Sequence, residues 1–344
     1  MEIPIRNIFY LLSYAWNKLE QAEKLDVSLS EYNDSINLFT RVLVEGCNHL
    51  LKKGLDRSYI TVNEEYNGIK GKINFKDSLN NNLFKQGKAV CSFDEFTSNV
   101  IHNQILKSVL RRITKIEGID KKLNKEVWAC FHRFNGIDEI DLQINHFSHT
   151  KIHRNNSEYD LLLKVSKLII ENLVVNENNG TYSFSDFTRN EKAMAYLFED
   201  FVRNFYTKEQ SRYKVRREDI KWNAQQIDGS NMTLLPKMQT DITFEAKNHK
   251  IIMDTKYYKQ TLAFNYSEKF HSNNLYQIHS YLTNIESNTD NPNNLNCDGI
   301  LLYPTVQKEI DESYKINNHR IRIATVDLSQ NWNTIHSRLL SILS

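Results

Sequence analysis

Apolar residues recur at helical spacing at the start of the chain: Ile5, Ile8, Leu12, Ala15 and Leu19, with Pro4 just ahead of them. That stripe predicts an amphipathic helix with its apolar face in a core. A second helix is predicted over 36–53. The pattern then changes. Gly punctuation among β-branched and aromatic residues predicts short strands and turns over 58–76, and AVCSFDEF reads as a further strand. Residues 98–133 and 158–176 return to helical spacing, carried by Val109, Leu110, Ile113 and Ile116, and by Leu161, Val165, Leu168 and Ile169. Between them 134–157 reads as loop, and 175–187 as a turn-rich junction. A boundary near 180 divides the chain into 1–180 and 181–344. Beyond it Met194, Leu197, Phe198, Phe201, Val202 and Phe205 form a strong helical stripe. Strand patterns follow at 213–224, 239–246, 250–257, 298–303 and 319–327, with helices at 273–287 and at the C-terminus. This order predicts an α/β fold, α+β over the whole chain, with a mixed central sheet flanked by helices.

Strand alternation is clearest in TDITFEAKNHKIIMDTK, residues 240–256. With Lys247–Asn248 as a two-residue turn, Ile242 faces Met253, Phe244 faces Ile251 and Glu245 faces Lys250. The same register sets Asp241 opposite Asp254, on one face of the hairpin. Two carboxylates so close repel, so one holds a proton or a cation sits between them. Mg²⁺ takes oxygen ligands, commonly one or two carboxylates with substrate phosphate. Lys256, two residues beyond Asp254, shares its face. Asp, Asp and Lys around one ion suit phosphodiester hydrolysis. Glu199, at the edge of its helix's apolar stripe, is placed to reach the ion; a solvated carboxylate is the other reading. Gln277 and Tyr281 are i, i+4 neighbours on the flank of helix 273–287. They would hold DNA backbone or a site carboxylate, or lie at a plain surface.

Bulk composition adds little to this. Of 344 residues, 40% are hydrophobic and 25% charged, with a net charge of +2, so the chain is an ordinary globular protein and not a polycation. Local charge is uneven. Residues 107–133 hold eight Lys/Arg against three Asp/Glu, and 208–221 hold six against three. Each cluster is either a phosphate-facing patch or a solvated helix face. Cys47, Cys91, Cys130 and Cys297 form no C-x-x-C pair, which argues against a zinc ribbon or iron–sulfur cluster and suits a reducing, cytoplasmic setting. The N-terminal apolar run lacks a cleavage-site pattern and is too short to span a bilayer, so neither leader nor membrane association is expected.

Asp241, Asp254-Thr-Lys256, the upstream Glu199 and Gln277-x-x-x-Tyr281 together resemble the PD-(D/E)xK nuclease superfamily, and the Gln/Tyr element is similar to its RecB-like branch. The first motif departs from the name, since Thr240 precedes Asp241 and the nearest proline is Pro236. IPIRNIFYLLSYAW, GLDRSYI, GIKGKINF, CSFDEFTSNVIHNQILK and LFEDFVRNFY, in that order, resemble the McrC family, the nuclease subunits of McrBC-type modification-dependent restriction systems. The resemblance implies that Asp241 and Asp254 bind Mg²⁺ (or Mn²⁺) with the Thr255 carbonyl, and that Lys256 is the catalytic lysine. Glu199 would be the upstream acid. It also implies a separate AAA+ GTPase, McrB, that recognises modified cytosine such as 5-methylcytosine in double-stranded DNA. Residues 1–180 would dock on that GTPase and stimulate it, with Arg57, Lys70 and Lys72 in the turn-rich part that could project; 181–344 would cut DNA in defence against phage. Cutting two strands suggests that two copies meet. The chain has no G-x-x-x-x-G-K-[ST], and GIKGK has the wrong spacing, so GTP hydrolysis is left to the partner. A non-catalytic activator of a ring GTPase and a stand-alone RecB-like nuclease are the alternatives.

Overall fold

The computed structural model describes residues 3–23, 34–150, 152–153, 156–176, 180–227, 229, 231–258, 263–264, 268–289, 291–306 and 308–344. The chain forms two units, Met1–Ala22 with Asp186–Ser344, and Glu23–Ser185. This differs from a simple division at 180. The first helix, α1 (Ile5–Ala15), belongs to the C-terminal unit. The reason is specific pairing. Buried Asn7 donates to the Leu328 and Gln330 carbonyls, each at 2.8 Å. Asn204 donates to the Tyr14 and Ala15 carbonyls at the end of α1, where a helix leaves acceptors unsatisfied. No local pattern could have announced these long-range bonds.

In the C-terminal unit α2 (Glu191–Glu209) starts where Asn190 accepts from the Ala193 amide. Its buried stripe is the expected one, extended by Tyr206. The central sheet has six strands: β1 (Lys214–Arg216), β2 (Ile242–Ala246), β3 (His249–Thr255), β4 (Cys297–Pro304), β5 (Asp311–Ile316) and β6 (His319–Val326). Their spatial order is β5-β6-β4-β3-β2-β1. β3, β4 and β6 run parallel, and the flanking pairs are antiparallel. The sheet is therefore mixed, as expected. The edge strand β5 carried no usable signal, because five of its six residues are exposed and it shows no alternation. Helices α3 (Ser272–Glu286) and α4 (Trp332–Ile342) complete the unit.

The hairpin register is borne out over its ladder: Ile242 pairs with Met253, Phe244 with Ile251 and Glu245 with Lys250, around a turn at Lys247–Asn248. On the side facing α3, Ile252, Ile278, Leu282, Leu301 and Ile321 form one buried cluster. Elsewhere in the unit Tyr206 meets Phe244 edge-on at 5.0 Å, and Tyr14, Phe201, Phe205 and Trp332 lie ring against ring. With apolar rows along β3 buried throughout, burial stabilises each such side chain by about 1.5–3 kcal/mol.

The N-terminal unit packs helices Ser35–Lys53, Ile101–Ile113, Lys121–His132 and Glu158–Glu171 around Phe39, Leu43, Val109, Leu110, Val127, Leu161 and Val165. It also carries a three-stranded antiparallel sheet, Ser58–Asn67, Lys88–Thr97 and Lys72–Ile73. Three local expectations fail here. The stretch 158–176 is helical only to Glu171, after which Leu173–Asn176 pairs with Thr181–Phe184, so the junction is a hairpin. The loop 134–157 contains a helical turn, Ile144–His149. The basic run at 107–133 is partly consumed inside the unit. Lys107 donates to the Phe134 and Ile137 carbonyls, Arg112 donates to Leu142, and the Arg111 guanidinium lies over Trp128 at 4.9 Å. All four cysteines are free and buried. Among the described residues no helix is long and apolar enough to cross a membrane.

Candidate active site

Alternation along β3 places Lys250, Ile252 and Asp254 on one face, with Lys256 just past the strand's end. Asp254 is fully buried. Its Oδ2 meets the Lys256 ammonium at 2.7 Å, and its Oδ1 has no hydrogen-bond partner among the described residues. A buried acceptor left unpaired costs about 1–3 kcal/mol, more when charged. Burial, then the neighbouring Asp241, pushes the Asp254 carboxyl up to about 7. Burial pulls Lys256 the other way, but Asp254 outweighs it and the ammonium is held above its ordinary value.

Asp241 is close enough to raise the pKa of Asp254, but it is not a ladder partner. The ladder ends at Ile242–Met253, and Asp241 follows in a bend. Its Oδ2 accepts from the Thr255 amide at 2.8 Å and from the Thr255 hydroxyl at 3.0 Å. Thr255 thus orients Asp241, a role the sequence did not indicate.

Gln277 and Tyr281 are not plain surface positions. Lys256 donates to Gln277 Oε1 at 3.0 Å, Gln277 Nε2 donates to the Tyr281 hydroxyl at 2.8 Å, and Tyr281 donates to the Gln239 carbonyl at 3.2 Å. The Gln/Tyr pair therefore links the lysine to the backbone two residues before Asp241. Gly299 permits this approach. It pairs with Ile252 across the parallel ladder, and a Cβ there would sit 3.0 Å from Leu282 Cδ1 and 3.1 Å from Ile278 Cγ1. A larger residue would push these side chains, and α3 with them, back by a few tenths of an ångström.

Glu199 is not solvated. Its side chain is 17% exposed, and its Oε1 accepts from Arg203 at 3.1 Å and from Arg217. Burial and then Asp241 raise its pKa against those two guanidinium groups. It belongs to the same electrostatic cluster as the two aspartates, but its charge is already engaged. Of the basic cluster at 208–221, read as a phosphate-facing patch or a solvated face, half of the cations are used within the unit: Arg216 pairs with Glu245 and Glu218, Arg217 with Glu199 and Lys208 with Glu20.

Three residues of the site escaped sequence reasoning. Asn274 donates to the Tyr303 hydroxyl at 3.0 Å and accepts from Tyr258 at 3.2 Å. Burial, and after it Asp254 among others, raises the pKa of Tyr303. Asn274 was detectable, because it lies three residues before Gln277 on the same helix face. Tyr303 sits in a wholly buried strand where no alternation marks it.

The residues fit a divalent cation. Asp254 presents a buried, unpaired carboxylate oxygen beside a second carboxylate, which is a charge arrangement that a cation relieves. Among the described residues no group of three or more His, Cys, Asp or Glu side chains is placed to hold a metal ion. An open site with two carboxylates suits Mg²⁺, which keeps positions for water and phosphate, better than it suits structural Zn²⁺.

Comparisons with known proteins agree with one another. The chain is 35% identical to the Type IV methyl-directed restriction enzyme EcoKMcrBC of Escherichia coli K12, over 341 residues, 99% of this chain and 97% of that protein. Its fold is similar to a chain in the refined half-complex from the tetradecameric assembly of Thermococcus gammatolerans McrB AAA+ hexamers with bound McrC. There the TM-score is 0.60 at 14% identity, covering 98% of this chain and 76% of the other. Residues 5–304 match the family described as McrBC 5-methylcytosine restriction system component, and the chain belongs to that family.

Proposed function

We propose that this chain is the nuclease subunit of a McrBC-type restriction complex, with a PD-(D/E)xK-type site that hydrolyses phosphodiester bonds in DNA carrying modified cytosine. The reading rests above all on Asp254, a buried carboxylate with one oxygen unpaired beside Asp241 and Lys256. Asp241 and Asp254, with the Thr255 carbonyl, would hold Mg²⁺ or Mn²⁺. Bound there, the cation would acidify water and screen the scissile phosphate. Lys256 orients the attacking water through its ammonium and offsets charge growing on the phosphate. Gln277 and Tyr281 fix where that ammonium points, and Glu199, paired with Arg203 and Arg217, would be the upstream acid at the edge of the cluster.

The chain carries no P-loop motif, so the AAA+ GTPase would be a separate McrB subunit that selects the modified DNA. The N-terminal unit is the proposed docking part. Its sheet exposes Tyr59 and Phe96 as a ring pair 5.0 Å apart. Two exposed rings paired across neighbouring strands suit contact with another protein.

The test is reconstitution. Asp254→Ala and Lys256→Ala are expected to abolish cleavage of methylated DNA by the complex while leaving stimulation of the partner's GTPase intact. Full cleavage by Asp254→Ala would discard the site. Stimulation without any nicking by the wild type, in Mg²⁺ or Mn²⁺, would make the chain a non-catalytic activator.

A further inference from the structure

Lys250 is the buried charge that the proposed chemistry does not use. It is 1% exposed, at the turn end of β3. Its register partner is Glu245, yet its ammonium turns to Glu218 Oε1 and Asn294 Oδ1, each at 2.8 Å. Glu245 is occupied by Arg216 and Asn291 instead. A buried ion pair contributes little net stability, since desolvation offsets most of the attraction. Retaining one therefore asks for another role.

The partner of Lys250 supplies it. Glu218 does not only accept the ammonium; its backbone grips Thr240. The Thr240 amide donates to the Glu218 carbonyl at 2.9 Å, and the Glu218 amide donates to Thr240 Oγ1 at 2.9 Å. Thr240 Oγ1 also meets Thr243 Oγ1 at 2.9 Å, and both threonines are buried. The next residue is Asp241, which has left the ladder: its carboxylate is held by Thr255, and its backbone position follows from Thr240. Asp254 sits on the strand that carries Lys250. One lysine thus joins the strand bearing one carboxylate to the segment that fixes the other.

We propose that Lys250 is a positioning residue for the cation site, setting the separation of Asp241 and Asp254 through Glu218 and Thr240. The proposal rests on the nuclease reading above. Removing such an outer support weakens metal binding by about 10–100-fold. The experiment is titration calorimetry of the full chain with Mn²⁺ alone, beside thermal melts and cleavage by the reconstituted complex over a range of Mg²⁺. Lys250→Met keeps the volume and leaves Glu218 its Arg216 contact at 3.3 Å. It is expected to melt below the wild type, because Glu218 and Asn294 lose a buried donor, and, measured while folded, to bind Mn²⁺ about 10–100-fold more weakly, with cleavage restored at high Mg²⁺. Thr240→Val breaks the chain of contacts further along and leaves the lysine pair intact. It is expected to show the same loss, and it decides the matter alone if Lys250→Met does not fold. Wild-type Mn²⁺ affinity in these variants overturns the positioning role while leaving the nuclease reading untouched. A wild-type chain that takes up no Mn²⁺ overturns both.

Discussion

The two ends of the β2–β3 hairpin hold buried charges under opposite conditions. At the turn end, Lys250 has two partners at 2.8 Å and Glu245 is taken by Arg216 and Asn291. At the open end, equally buried Asp254 has one oxygen with no partner and one ammonium shared with Gln277. Burial is the same, so burial does not separate structural charge from reactive charge. Satisfaction does. The turn end is a closed network that holds shape, and the open end is left short of positive charge.

The sharpest way to break this comparison is to remove the open end's own cation. Lys256→Met is expected to lower cleavage roughly 10²–10³-fold, the range for losing one electrostatic stabiliser of the transition state, with the chain still folded because Asp254 can take up a proton instead. Cleavage assays beside circular dichroism would check it, and near-normal cleavage would show that the lysine only neutralises its neighbour.

A metal-free melting series against pH probes the same contrast. The folded carboxyl of Asp254 is raised to about 7, above the ordinary value near 4. Between those two values the unfolded chain has already released its proton and the folded chain has not. Stability through this group is therefore present below about pH 4 and is lost as pH rises towards 7, by on the order of a few kcal/mol. Asp254→Asn should flatten that part of the profile and raise the melting temperature at neutral pH. An unchanged profile would mean that the open end is not frustrated.

Gly299→Ala tests whether the approach of α3 matters to the site. The new methyl group meets Leu282 and Ile278, and overpacking of this kind costs about 1–3 kcal/mol. Displacement of Gln277 from Lys256 should lower cleavage as well as stability; a drop in stability alone would detach the Gln/Tyr pair from function.

The smallest effect is expected far from the hairpin. Arg322 and Arg338 hold the Asp311 carboxyl down to about 2. Its contribution is present above about pH 4 and lost as pH falls through 2. Because the pair is partly exposed, Asp311→Asn should cost about 1 kcal/mol or less at neutral pH, measured by denaturant melts, with no change in cleavage.

Much of the site was legible because it obeys local periods. Ile242 and Phe244 against Ile251 and Met253 fix the hairpin register by alternation alone, and register brings Asp241 towards Asp254 and sets Lys256 beside it. The i, i+4 spacing of Gln277 and Tyr281 likewise marked one helix face. What stayed hidden depends on third parties. Lys250 could not be seen to choose Glu218 over its own ladder partner, because Glu218 arrives from 32 residues away in sequence. Tyr303 was hidden in a strand buried on both sides, with no charge to notice.

The sequence by itself determined which residues alternate, where the helices lie, which carboxylates share the hairpin's open end and which family the chain resembles. Only the tertiary structure decided that α1 joins the C-terminal unit, that Asp241 leaves the ladder to be held by Thr255, and that Asp254 keeps a buried carboxylate oxygen unpaired beside Lys256. The physical reason is one of range. Periodicity acts between neighbours in the chain, whereas hydrogen bonds and ion pairs are settled by whichever group folding brings within about 3 Å.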